Sequence, residues 1–317
     1  MLPVLLAGAV GAAAAPLFAQ PFPAKPVRLF VGFAPGGGTD IMARALAARL
    51  PDVLRQQIIV DNRPGANGNL AAEFVARLPA DGYSVLFVSV SHAMSRSVYR
   101  NLGYDFERDF VPLSILSEVP NVLTVHPSLP VKTVRDLLAL ARARPGSLTY
   151  GVAGLGSPGH FAGAMMETMG RAEMLVVPYK GGGPLAVDLI AGHIATTFNA
   201  LPPLLPHIRA GRLRAIAVST EQRVATLPDV PTIGETIPGY AISTWYASVV
   251  RTGTPEEIVG LLSAATLKVL AMPDVQQAMA DQGATVVGSN AAQAAAFIRA
   301  EIAKYAKVAK AAAIRAE

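Results

Sequence analysis

Short apolar runs and helically spaced apolar positions alternate along most of this chain. Arg28 to Phe33 is a compact apolar run, as expected of a strand buried on both faces of a parallel sheet. Gly36 to Gly38 break it, and Ile41, Met42, Ala45, Leu46 and Arg49 then follow helical spacing. The pattern repeats with a strand over Gln57–Asp61, a helix over Leu70–Leu78 and a buried strand over Tyr83–Val90. A second series begins near Asn121 with a strand at Val122–Val125. Thr133 then caps a helix over Val134–Ala143 that stops before Pro145 and Gly146. Strands at Leu148–Val152, Met174–Pro178, Ile194–Phe198 and Leu213–Val218 continue it, with helices around Phe161–Met169 and Leu185–Ala191. Thr226–Tyr240 is rich in Pro and Gly and reads as a connector. Helices over Glu256–Leu270, Val275–Gln282 and Ala292–Ala313 close the chain, with a short strand at Thr285–Val287.

This alternation predicts an α/β protein with mostly parallel sheets flanked by helices. Two βα series joined by a Pro-rich return predict two similar lobes, one from residues 23–122 and 241–317, the other from 123–240. Ligands of such sheets bind outside the carboxyl ends of the strands, between the lobes. Leu2 to Phe18 falls outside the pattern. It is an uncharged, alanine-rich run resembling the apolar region of a secretory signal peptide, expected over residues 1–19 and removed near Gln20. Retention as a membrane anchor is the alternative, since about 18 apolar residues barely span a bilayer.

Composition narrows the function. The chain has 317 residues, 52% of them apolar and 15% charged, so it has material for a large core and little tendency to disorder. It contains no cysteine, which excludes disulfides, thiolate metal sites and a cysteine nucleophile. The formal charge is +5, but Lys and Arg are dispersed, and nucleic-acid binding needs a concentrated basic stripe. The five histidines lack metal-ligand spacing and no serine sits in a G-x-S-x-G elbow, so neither a metal nor a catalytic residue is expected.

The candidate chemistry lies in loops after strands. In Phe33-Ala34-Pro35-Gly36-Gly37-Gly38-Thr39-Asp40, three glycines let the backbone approach a ligand, and the helix that follows offers unpaired N–H groups to an anion. A nucleotide P-loop fails here because Gly38 stands where its lysine is required. The second loop carries Gly154, Gly156, Ser157, Pro158, Gly159 and His160. Its glycines match G-x-G-x-x-G, the fingerprint of a dinucleotide-dependent oxidoreductase. The acid needed at the end of the next strand is missing, because that strand ends at Pro178-Tyr179-Lys180. A second anion-friendly loop facing the first fits better. Further candidates are Ser89, Ser91 and His92 after a buried strand, Lys180 before Gly181–Gly183, and Phe198-Asn199 at a strand end. Trp245 and Tyr246 follow the connector as wall or hinge residues.

Taken in order, these motifs resemble a known family. Lys25-Pro-Val-Arg-Leu leads into Phe33-Ala-Pro-Gly-Gly-Gly-Thr-Asp40. Asp61-Asn-Arg-Pro-Gly65, Asp81-Gly-Tyr83, Val125-His-Pro-Ser128, Val177-Pro-Tyr-Lys-Gly181, Leu227-Pro-Asp-Val-Pro-Thr232 and Pro238-Gly-Tyr240 follow. The mature chain resembles the periplasmic substrate-binding receptors of tripartite tricarboxylate transporters, the Bug receptors. The resemblance implies a two-lobed, hinge-closing receptor of the type II periplasmic binding fold. It implies a monomer without cofactor or catalytic activity that delivers a small organic acid to membrane permease subunits. A sensor subunit of the same fold is the alternative. By analogy, Phe33 to Thr39 would cradle one end of the ligand, with Gly154–Ser157 and Phe198-Asn199 facing it. Pro158 departs from the family, which often has a small polar residue there; it removes an N–H donor.

Overall fold

The structure, a computed structural model, describes residues 22–312 and 314. The leader expected over residues 1–19 lies outside the described residues. No single described helix is long and apolar enough to cross a membrane.

Ten described strands form one sheet: β1 (Val27–Val31), β2 (Ile58–Asn62), β3 (Ser84–Ser89), β4 (Phe110–Val125), β5 (Thr149–Val152), β6 (Leu175–Pro178), β7 (Thr196–Ala200), β8 (Arg214–Val218), β9 (Ser243–Arg251) and β10 (Thr285–Val286). The order is β2-β1-β3-β9-β4-β7-β5-β6, with β8 and β10 also paired to β4. Each wing is parallel: β1 lies between β2 and β3, and β5 between β6 and β7. Parallel neighbours need crossovers, which the helices supply. Alternation along the strands assigns the two faces. Val27, Leu29, Val31, Val85 and Phe87 pack with Met42 and Leu46 of helix Gly38–Ala47 and Leu262 and Val269 of helix Glu256–Leu270. Phe30, Leu86 and Val88 face the other way, with Ala71, Ala72 and Val75 of helix Asn69–Ala76.

The centre of the sheet is antiparallel, and this departs from the sequence expectation. A strand was expected only at Val122–Val125, but β4 begins at Phe110, and β9 was not expected at all. β4 changes partners midway. Up to Pro120 it pairs with β9, the last pair being Pro120 with Ser243; from Asn121 it pairs with β7 and β8. Proline cannot donate to a ladder and usually marks an edge or bulge. Here the register shifts between Pro112 and Ser114, and Pro120 stands where the partner changes. Hydrogen bonds concentrate at that point. Ser219 N donates to Asn121 O, Asn121 N to Ser219 Oγ, Leu201 N to Pro120 O, and Thr244 Oγ1 to Asn121 Oδ1.

The final helix, Ala291–Ala311, closes the back of this junction. Glu301 accepts from the buried Trp245 indole at 2.9 Å and from Lys304 at 3.1 Å. Tyr305 meets Phe161 edge-on at 5.6 Å, so the helix touches elements of both βα series.

Candidate functional site

Four strands of the wings, β1, β3, β5 and β6, lead into the starts of helices Gly38–Ala47, Val90–Val98, Pro158–Gly170 and Gly182–Ala191. All four starts reach one cavity of about 40 Å³. From the first come Phe33, Gly37, Gly38 and Thr39, from the second Ser89 and Ser91, from the third Ser157, Pro158 and Gly159, and from the fourth Gly182. Strands β4, β7 and β9 add Asn121, Asn199, Thr244 and Tyr246. The first N–H groups of an α-helix have no intrahelical acceptor, and its N-terminus carries partial positive charge. The wall therefore concentrates donors and hydroxyls, yet it holds no Lys, Arg, Asp or Glu.

Two donors stand out. Asn121 Nδ2 and Asn199 Nδ2 are buried and have no hydrogen-bond partner among the described residues. Leaving such a group unpaired costs about 1–3 kcal/mol, so both amides suit an acceptor brought in by a ligand. Ser157 has its oxygen engaged as the helix cap, accepting from His160 N at 3.4 Å, which leaves the hydroxyl proton to donate. Gly159 is obligatory for close packing: a Cβ there would lie 2.0 Å from Phe198 O.

The glycine loops also meet each other. A Cβ on Gly183 would lie 2.7 Å from Pro35 O, one on Gly181 3.3 Å from Ala34 N, and one on Gly37 3.4 Å from Gly182 N. This backbone-to-backbone approach brings the two loops together beside the cavity.

Of the residues expected from sequence, Phe33, Gly37, Gly38, Thr39, Ser89, Ser91, Ser157 and Asn199 line the cavity. The others lie off its wall. Ala34, Pro35 and Gly36 form the outer side of the first loop, with Gly36 as its left-handed turn at φ +78°. Asp40 points back to lock that loop: it accepts from Gly36 N at 2.9 Å, Asn62 Nδ2 at 2.8 Å and Arg44 Nε at 3.0 Å. Burial pushes its pKa up, but these hydrogen bonds outweigh burial and hold the carboxyl below its usual range. His92 closes a capping box with Ser89, and its ring is buried beside Gly68 and Phe33. Gly156 donates to His160 Nδ1 at 2.9 Å, so both residues brace the second loop from behind. Phe198 turns into the core against Tyr150, ring centroids 5.8 Å apart. Gly154 and Lys180 border a neighbouring chamber.

Asn121, Thr244 and Ala200 were not anticipated from the sequence; Ala153, Pro158, Gly159 and Gly182 belong to the candidate loops but were not named among the individual contacts, and Tyr246 was noted only as a wall or hinge residue. The one available signal was a polar residue inside an apolar run, such as Asn121 between Val119 and Val122.

The two buried imidazoles make stability pH-dependent. Burial pushes both His92 and His160 down to about 4. In the unfolded chain a histidine titrates near about 6.5. Between those values the unfolded state binds more protons, so stability is complete above about pH 6.5 and falls as pH drops toward about 4. The loss by about pH 5.5 is expected to be roughly 1 kcal/mol per imidazole. Urea unfolding at about pH 7.5 and about pH 5.5 checks this; identical midpoints would mean that neither ring is held neutral by the fold.

Two wings joined by crossing strands, with a cleft at the strand ends, define the class of two-lobed periplasmic binding proteins. A structure described as a periplasmic transporter aligns with TM-score 0.90 at 33% identity, covering 93% of this chain and 100% of that one. An R. palustris protein solved with adipate aligns with TM-score 0.90 at 41% identity, over 92% and 99% of the two chains. MatC from Rhodopseudomonas palustris, solved with malate, gives 0.86 at 29%, over 90% and 99%. Protein BugT of Bordetella pertussis is 38% identical over 298 residues, 93% of this chain and 91% of that one. The family described as tripartite tricarboxylate transporter family receptor matches residues 42–314. The chain belongs to this family.

Proposed function

We propose that this protein is a periplasmic receptor that captures a small carboxylate-bearing compound between two lobes and hands it to the permease subunits of a tripartite tricarboxylate-type transporter. One observation carries the reading. The cavity presents two unpaired amide donors and four helix starts without a charged side chain in its wall. A carboxylate held there keeps its charge, because hydrogen bonds to the charged form replace its water. Each such bond contributes about 1.5–3 kcal/mol, and a few of them support micromolar binding at about −8 kcal/mol. Relatives solved with adipate and malate agree with this chemistry.

In this reading the lobes are residues 23–122 with 241–317 and residues 123–240, and the protein acts as an exported monomer whose leader is removed near Gln20. The partner change of β4 at Pro120–Asn121 and the Ser219–Ile242 contact supply the hinge. Receptors of this family bind and release, so a bound acid should be recovered chemically unchanged, as mass spectrometry can establish.

Calorimetry with a carboxylate panel is the direct test. Ser157→Ala is expected to weaken the bound acid about tenfold, one hydrogen bond to a charged group. It should also lower stability by about 1 kcal/mol through the lost cap. Converting the ligand carboxylate to an amide is expected to cost more than that mutation. Equal affinity for acid and amide would refute the reading.

A further inference from the structure

The final helix, Ala291–Ala311, borders a groove of about 670 Å³ that is separate from the ligand cavity. Its floor is apolar, with Ile302, Ala306, Ala309 and Ile314. Arg299 and Lys310 come from the same helix, and Arg96 and Glu107 from across the groove. Past Arg96, Glu107 and Ile302, which line both, the groove continues into a hollow of about 330 Å³ walled by Leu102 and Phe106. It is therefore long as well as apolar, and suits a polypeptide segment better than a small solute.

The charge around it is one-sided. Arg96 lies 3.6 Å from Asp105 and 3.7 Å from Glu107, so these groups balance one another. Arg299 and Lys310 are exposed, and their side chains make no ion pair or hydrogen bond among the described residues. Lys307, exposed on the same helix, makes none either. The one acid of that helix, Glu301, is buried and engaged with Trp245 and Lys304. Uncompensated cations beside an apolar floor complement a partner whose carboxylates flank apolar anchors, and they repel a basic one. The groove also adjoins the elements that the cleft depends on. Ser89 and Ser91, at the start of helix Val90–Val98, line the ligand cavity, while Arg96 and Ser97 near its end line the groove. The final helix reaches Phe161 through Tyr305 and Trp245 through Glu301. A partner seated there is in contact with the two helices that join the cleft to its hinge.

We propose that this groove is the face on which the receptor docks to its transporter: an acidic segment of a permease subunit lies in it, with apolar side chains on Ile302 and Ala306 and carboxylates at Arg299 and Lys310. This rests on the reading of the protein as a receptor that hands its solute to a permease. Docking on the final helix leaves the cavity wall untouched, so affinity for the acid and its delivery are carried by separate residues.

The experiment measures uptake by proteoliposomes that contain the permease subunits, with the receptor titrated outside them. The solute is the acid of the carboxylate panel that binds tightest. Arg299→Glu with Lys310→Glu reverses the charge of the groove. Arg77→Glu with Lys268→Glu makes the same change in net charge at exposed positions outside it. All four positions are exposed, so both variants keep the fold. The groove variant is expected to need at least about tenfold more receptor for half-maximal uptake, because like charges then face each other. The control should stay close to wild type, and calorimetry should give all three the same affinity for the acid. Equal uptake with the groove variant and the control would overturn the docking face. A matching loss of acid affinity in the groove variant would overturn it too, since the cations would then act on the cleft. Binding to permease-free phosphatidylglycerol vesicles that the groove variant loses would assign the groove to a lipid surface instead. Self-association that the variant loses would assign it to a second copy, and either result overturns the proposal. A wild type that binds the acid yet drives no uptake would remove the permease reading itself, and the docking face with it.

Discussion

Gly37→Val is expected to cost about 5- to 150-fold in ligand affinity while the free protein keeps its stability, whereas Gly37→Ala stays close to wild type. Gly37 has φ −78° as the cap of helix Gly38–Ala47, so its backbone needs no glycine. What matters is the approach of the other glycine loop. A Cβ at this position lies 3.4 Å from Gly182 N and 3.7 Å from Gly183 N, which is ordinary contact and tolerates alanine. Valine adds methyls about 1.5 Å further out, with no room before the facing backbone. Overpacking of this kind costs about 1–3 kcal/mol. Ala34 O, also 3.4 Å from this Cβ, belongs to the same loop and is met in either state; the contacts with Gly182 and Gly183 arise only when the loops meet, so their cost appears in closure and in affinity. Calorimetry of both variants, with thermal unfolding of each without ligand, measures the two quantities separately. If valine binds as well as alanine, the loops do not meet in the bound state.

The same distinction explains what could be read from the sequence. The wings were legible because most of their strands are short apolar runs broken by turn residues, and some of their helices carry side-chain caps, such as Thr133 and Ser157. Helix Val134–Ala143 was bounded correctly by Thr133 and by Pro145 and Gly146. The eight residues of the cavity wall that were anticipated sit in loops whose composition announces a strand-to-helix turn, or, for Asn199, at the end of a strand. The central strands carry no such local signal. Pro112 and Pro120 interrupt β4, and its pairing with β9 joins segments more than a hundred residues apart. Helix Val90–Val98 was not expected: a strand was read up to Val90 with Ser91 and His92 in the loop after it, yet Ser91 and Ser95 are buried in a helix. Asn121 and Thr244 were missed with the strands that carry them. Asp40 and His92 were expected at the ligand for their chemistry; the structure uses that chemistry to brace the loops.

Asn199→Asp is expected to abolish binding at neutral pH and to restore part of it in acid. The two side chains have nearly the same shape, so the change is electrical. Asn199 Nδ2 faces the cavity unpaired and lies 2.9 Å from the Cβ position on Gly182, at the start of helix Gly182–Ala191. A carboxylate in its place occupies the anion-favouring helix start itself. It removes one charge-assisted hydrogen bond, about 1.5–3 kcal/mol. It also opposes the ligand with a like charge, about 4 kcal/mol at 4 Å in an effective dielectric of about 20. Together these exceed about a hundredfold in affinity, since each 1.4 kcal/mol is about tenfold. Burial and the ligand's charge both raise the new carboxyl's pKa, so protonation on acidification removes the repulsion and returns a donor. Affinity of the variant should therefore rise from about pH 7.5 to about pH 5.5, where a ligand carboxylate with a pKa near 4 is still charged. Wild-type affinity should stay flat over that range or fall. Thermal unfolding without ligand should be lowered at neutral pH and recover on acidification, because a buried carboxyl with a raised pKa costs stability while it is charged. Binding that survives at neutral pH would remove Asn199 from the ligand's surroundings.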